Sequence, residues 1–180
     1  MNSKTKGCLI AATTFILILV CTIFLVSNII NKSFKKDKSK VDKSWEMYVT
    51  ILHNRNKMLS ENEELKNILP LTTKIEENLK KNLKKELIKN EYKINDSMRK
   101  YKLDYSFNKK LNDCLIEYNS SVKEFNNKYS TFPYNFIRIK NAVPLYDYFD
   151  IIYGIDNSAI IEKNKKIDDW IENGGELKFE

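Results

Sequence analysis

The segment Cys8–Ile30, CLIAATTFILILVCTIFLVSNII, carries no charged side chain over 23 residues. As a helix rising about 1.5 Å per residue it spans about 34 Å, enough to cross a bilayer core of about 30 Å with some tilt. The expectation is a retained membrane-spanning helix. A cleaved signal peptide, which would leave a secreted helical protein, is the competing reading. Its apolar stretch is shorter, about 7–15 residues, and ends at a small-x-small site that Val26-Ser27-Asn28 does not supply. A lipoprotein signal at Cys21 calls for a small preceding residue, and Val20 stands there.

The flanks bear on orientation. Residues 1–7 hold Lys4 and Lys6, whereas Lys32, Lys35, Lys36, Lys38, Lys40 and Lys43 follow the apolar run, with Asp37 and Asp42 among them. The flank richer in Lys and Arg stays in the cytoplasm. This predicts a single-pass membrane protein with its large domain cytoplasmic; a signal-anchor with its N-terminus inside is the opposite solution. Residues 31–40 read as a charged linker. Lys32, Lys35, Lys36, Lys38 and Lys40 can rest on anionic lipid, or serve only as a stop-transfer flank.

Beyond the apolar run the chain is polar, rich in Lys and Asn as codon bias in an AT-rich genome would produce, and the net charge of +7 says little about partners. Only 4 Gly and 3 Pro occur in 180 residues, which favours long helices. Val41, Trp45, Tyr48, Leu52, Arg55 and Leu59 fall on one helical face. Arg55 is the charged member; it snorkels to water at the edge of the stripe or meets a carboxylate from a facing helix, the first being the expectation. Pro70 breaks this helix. A second, about Leu71–Met98, repeats Ile75, Leu79, Leu83 and Leu87, then Ile94 and Met98. A third, about Asp104–Thr131, carries Phe107, Leu111, Cys114, Tyr118, Val122, Phe125 and Tyr129. Asn119 and Asn126 flank that stripe seven residues apart, where they can fix register or face water. Phe132-Pro133 ends the helix. Residues 133–150 then read as an irregular aromatic flap, and 158–172 as a short helix capped by Ser158. Amphipathic stripes of this length call for an antiparallel bundle of three long helices, or four if the second splits near Lys89–Asn90. The fold class is therefore all-α, a transmembrane helix followed by that bundle.

Chemistry is sparse. One His and one Cys outside the apolar run exclude a cysteine zinc site and leave no disulfide in the soluble part. Four Gly cannot build a phosphate loop. Cys114, on an apolar stripe, reads as a small buried hydrophobe. Glu61, Glu63 and Glu64 cluster and could hold a divalent cation weakly, but a solvated helix face is the expectation; Asp168-Asp169 reads as surface charge. The lysines are spread and balanced by Glu, which argues against nucleic acid as a partner. No catalytic, cofactor-binding or metal-ligating residue is assigned, and no enzyme activity is expected.

One pattern is more specific. Tyr118-Asn119, Val122, Phe125-Asn126, Phe132-Pro133 and Asn135, followed by Tyr148-Phe149, resembles the C-terminal signature of LemA family proteins. Trp45 and Arg55 after a membrane span resemble that family's opening helix. The chain departs from the pattern after Arg55, where Lys57, Ser60, Glu61 and Asn62 replace an Asp and a Pro-Asn-Leu, and its middle is shorter and less alanine-rich. The resemblance covers most of 41–150, with 151–180 as an extension, and describes a divergent, shortened member. It implies a helical bundle anchored in the bacterial cell membrane and no established reaction. Expected function is thus an interaction or scaffold role at the membrane with an unidentified protein partner; a carboxylate-dependent metal-binding protein is the alternative.

Overall fold

A computed structural model describes residues 3–61, 68–81, 83–100 and 106–174, with side chains from residue 12 onward. Among these residues there are six α-helices and no strand: α1 (Ser3–Glu61), α2 (Leu69–Lys80), α3 (Lys84–Lys100), α4 (Ser106–Tyr129), α5 (Tyr134–Lys140) and α6 (Ser158–Asn173). The all-α expectation holds. Two compact units are distinguished, one of Met1–Val41 with Lys123–Tyr146, the other of Asp42–Val122 with Asp147–Glu180. Helices α1 and α4 contribute residues to both.

In the first unit, α1 from Ala12 is apolar and long enough to cross a membrane; its most apolar stretch has a mean hydropathy of 2.4 and almost none of it is buried. Residues 31–40 are not a linker: the helix runs through them without a break. The reason is packing. Phe34 is buried against Phe125 and Tyr129, with ring centroids 5.8 and 5.2 Å away. Polar groups flank this contact. Lys128 Nζ donates to Ser33 Oγ at 2.7 Å and to the Asp37 carboxylate at 2.8 Å; Tyr129 Oη donates to the same carboxylate at 2.9 Å. Lys40 pairs with Glu124 at 2.7 Å.

Burial alone would push the Asp37 carboxyl up, but the bonds from Lys128, Tyr129 and Ser33 together hold it below the ordinary value of 3.8. A carboxyl lowered on folding adds stability that is full above its unfolded pKa and is lost as pH falls through the lowered one. Both partners are partly exposed, so the contribution is on the order of 0.5–1 kcal/mol. Asp37→Asn should lower the unfolding midpoint at pH 7, and the gap from wild type should close as both are titrated below the usual carboxylate range. A gap that persists at acid pH would show that the loss is not electrostatic.

The stretch expected to be an irregular flap contains α5, with Pro133 at its N-cap. Proline suits a helix start because its fixed φ is helical and its missing N–H has no intrahelical role there. Arg138 closes this corner: Nε donates to the Tyr129 carbonyl at 2.9 Å and Nη1 to that of Val143 at 3.1 Å. It thereby satisfies a carbonyl at the end of α4, which otherwise has no intrahelical donor.

In the second unit the first stripe is confirmed as a buried face, with Tyr48, Leu52, Arg55 and Leu59 all essentially inaccessible. The long second helix is instead two, α2 and α3, which pack on each other. The break falls between Lys80 and Lys84, not near Lys89–Asn90. Lys80 and Lys84, and Lys81 and Lys85, would be like charges at i,i+4 in an unbroken helix, which disfavours continuing it. Leu83, placed on the stripe by its spacing, is exposed. Leu87, Glu91, Ile94 and Met98 then form the buried face of α3. On α4, Leu111, Leu115, Tyr118 and Val122 are buried. The α6 helix buries no residue; Asn157, not Ser158, occupies its N-cap, and Gly174, at φ +71°, ends it.

Candidate functional site

The densest assembly of polar side chains lies inside the second unit. Steps of four and three residues from Tyr48 through Leu52 place Arg55 on the buried face of α1, and the same steps from Leu87 to Ile94 place Glu91 on that of α3. Both are fully buried. Arg55 Nη1 donates to Glu91 Oε2 and Nη2 to Oε1, each at 2.7 Å, a two-pronged pair matching the guanidinium fork to the carboxylate. The remaining Arg55 donors turn to Asn56 Oδ1, with Nη2 at 2.8 Å and Nε at 3.3 Å. The expectation that Arg55 reaches water at the stripe edge is therefore corrected. A buried guanidinium must meet an anion, because an unpaired charge removed from water is far costlier than a paired one.

The network extends both ways. Tyr153 Oη donates to Glu91 Oε2 at 2.6 Å and lies 2.7 Å from Tyr48 Oη. With the Tyr153 proton committed to Glu91, Tyr48 is the donor in that second bond. On the other side Asn56 Nδ2 donates to Glu76 Oε1 at 2.8 Å, and Glu76 Oε2 meets His53 Nδ1 at 2.6 Å on the surface. Burial, reinforced by the Glu91 charge, pushes both phenols well above their usual value. Burial would lower the Arg55 guanidinium, but Glu91 overrides it and the group is held more firmly protonated than usual. Arg55, Tyr48 and Tyr153 thus keep one protonation state across the physiological range. The arrangement fixes α1, α3 and residue 153 in place, and these three groups offer no proton to exchange near neutral pH.

Residues 147–152 lie along the helices outside any regular element and turn at 153–155, and asparagines stand in for strand partners. An asparagine amide offers one donor and one acceptor side by side, which is what a backbone residue in a sheet offers. The Phe149 N–H donates to Asn119 Oδ1 at 3.0 Å, and Asn119 Nδ2 returns a bond to the Phe149 carbonyl at 2.7 Å. Asn112 does the same with Tyr153, at 2.8 and 3.1 Å. Asn95 on α3 accepts from Gly154 N–H and donates to the Ile155 carbonyl. Seven residues of helix rise about 10.5 Å, and the four residues from Phe149 to Tyr153 cover about 13 Å when extended, so the two spacings nearly match. In the first unit, Asn126 clasps Tyr146 in the same way, at 2.8 and 3.0 Å. Gly154 sits at φ +88°, a conformation L side chains rarely adopt, and a Cβ there would approach Asn108 Nδ2 to 3.3 Å.

The clasp seats Phe149 in an aromatic cage, with its centroid 5.2 Å from Trp45, 5.8 Å from Tyr48 and 6.3 Å from Tyr118. Lys84 Nζ lies over Trp45 at 4.7 Å and bonds Tyr118 Oη at 3.1 Å. Burial lowers its pKa against the opposing pull of Asp147 and Asp42. Beside the cage a groove of about 610 Å³ runs between α3, residues 147–150 and α6, lined by Lys84, Tyr92, Phe149, Ile161 and Ile167.

The residues singled out by sequence thus divide. Trp45, Arg55, Tyr118, Asn119 and Phe149 take part in the cage, the ion network and the clasp, and Val122 is buried in the same unit. In the first unit Phe125 packs on Phe34 and Asn126 holds Tyr146. Phe132 is exposed, Pro133 starts α5, and Asn135 is half-buried with its Oδ1 unbonded among the described residues. Sequence reasoning missed Glu91, Tyr153, Asn112 and Asn95. Cys114 is half-buried, and burial together with Glu117 and Asp113 raises its pKa. Glu63 and Glu64 lie outside the described residues, and among those described no three His, Cys, Asp or Glu side chains gather as metal ligands.

No protein-family profile, no curated protein and no solved structure matches the chain.

Proposed function

We propose that this chain is a single-pass, membrane-anchored helical protein of LemA type whose soluble part has an interaction or scaffold role and no catalytic one. The observation that carries the reading is α1 itself, whose exposed apolar stretch continues, without a break in the helix, into residues that build a helical domain with a closed polar interior. The LemA assignment rests on the residue pattern from Tyr118 to Phe149. Its support here is that Asn119 and Asn126, the repeated asparagines of that pattern, each hold one residue of the segment that follows. A bundle of α1 to α4 is the corresponding architecture. The lysine-rich flank after the apolar run favours a cytoplasmic domain, with Lys32, Lys35 and Lys36 exposed for anionic lipid.

Ile161, Trp170 and Ile171 stand partly exposed on α6, which supports a role in contacting other proteins. Photo-crosslinking from Trp170 in intact membranes is the test. A discrete, reproducible adduct is expected; cells that yield only the uncrosslinked chain would count against an interaction role.

A further inference from the structure

The first unit carries an apolar surface that the anchor alone does not explain. Helices α1 and α4 run antiparallel there, and their contacts give the register: Glu124 meets Lys40, Lys128 meets Asp37 and Ser33, and Tyr129 meets Phe34 and Asp37. As α4 advances toward its end, its partners on α1 step back toward Ile30, the last residue of the charge-free run. Ser33 is three residues from Ile30, about 4.5 Å along the helix. The chain leaving Tyr129 therefore turns at the level where the apolar run ends.

That turn is formed by Phe132 and α5. Phe132 is 77% exposed, Phe136 63% and Ile139 62%, while Ile137 on the same short helix is buried. Phe132 and Phe136 meet edge to face at 5.8 Å. Lys140 follows on α5, and Lys32, Lys35 and Lys36 are exposed on α1 next to the end of the apolar run. Exposed aromatic and aliphatic side chains with lysines around them, at the mouth of a bilayer-spanning helix, match the headgroup–acyl boundary, where rings enter the apolar edge and cations meet phosphates.

We infer that Phe132, Phe136 and Ile139 form a second membrane contact, dipping into the same bilayer that residues 8–30 cross. This rests on the reading of that segment as a bilayer-spanning helix. The contact would fix the unit against the surface, because a helix alone leaves rotation about its axis free, and a second point of insertion removes that freedom.

The test uses the full chain in phosphatidylcholine–phosphatidylglycerol vesicles, with and without bromine on the acyl chains. Phe136→Trp, Phe132→Trp and Leu17→Trp each add one tryptophan at an exposed site, and subtracting the wild-type spectrum isolates its emission. Bromine should cut the emission of all three by about twofold or more, the depth reached by an interfacial apolar face. Quenching at Leu17 with none at Phe136 or Phe132 would overturn the second contact and leave the anchor standing. If those two stay unquenched and shift to the blue as protein concentration rises, a second copy of the chain covers the patch and the inference fails. No quenching at any site would remove both the contact and the anchor.

Discussion

Glu91→Leu is expected to destabilise the protein by about 3–5 kcal/mol, because it leaves the Arg55 guanidinium buried and without its anion. Tyr153 loses its acceptor in the same change. Denaturant unfolding of the full chain in detergent measures the loss. Arg55→Met combined with Glu91→Leu should recover most of it, since two apolar side chains of similar volume ask nothing of their surroundings. If the double variant is no better than the single one, the cost lies in Asn56 and Tyr153, and the ion pair is not the centre of the network. A Glu91→Leu chain as stable as wild type would mean that water reaches Arg55.

Phe149→Ala should cost about 3–5 kcal/mol, the range for emptying a buried aromatic site. Phe149 is 2% exposed and touches Trp45, Tyr48 and Tyr118, so the cavity has three ring walls that cannot collapse inward together. Asn119→Ala removes both bonds to the Phe149 backbone and should cost less, about 1–3 kcal/mol. The pair should be sub-additive, because the clasp matters chiefly by holding the ring in its cage. Full additivity would show that the asparagine and the ring act independently.

Much of this was legible from spacing. The stripe from Tyr48 to Leu59 is buried where the three–four period puts it, and so are Leu111, Tyr118, Val122, Phe125 and Tyr129 on α4, where Leu115 and not Cys114 fills the remaining turn. The interior pairing was half visible. Arg55 on an apolar stripe invites a carboxylate, and Glu91, four residues after Leu87 and three before Ile94, occupies the corresponding position on α3. Reading that gap in the stripe as the partner of Arg55 would have found the pair. The split between α2 and α3 was misplaced because periodicity carries through Leu83, whereas the like-charged lysines around it do not favour a continuous helix. Residues 31–40 looked like a linker because their charges dominate, yet Phe34 is buried among them and Asp37 and Lys40 pair with α4. The asparagine clasps were hardest to see. Asn119 and Asn126 stood out by their interval, but what they hold is backbone, which has no sequence identity to search for. Asn112, one more interval back, completes the series and was overlooked.

The central claim is that the apolar helix is retained and holds the domain to a bilayer. Alkaline extraction of membranes, followed by the intact mass of the recovered chain, tests this most directly. The account predicts that the chain stays in the membrane pellet with residues 1–30 present in its mass. A chain released into the soluble fraction, or one whose mass lacks that segment, would contradict it.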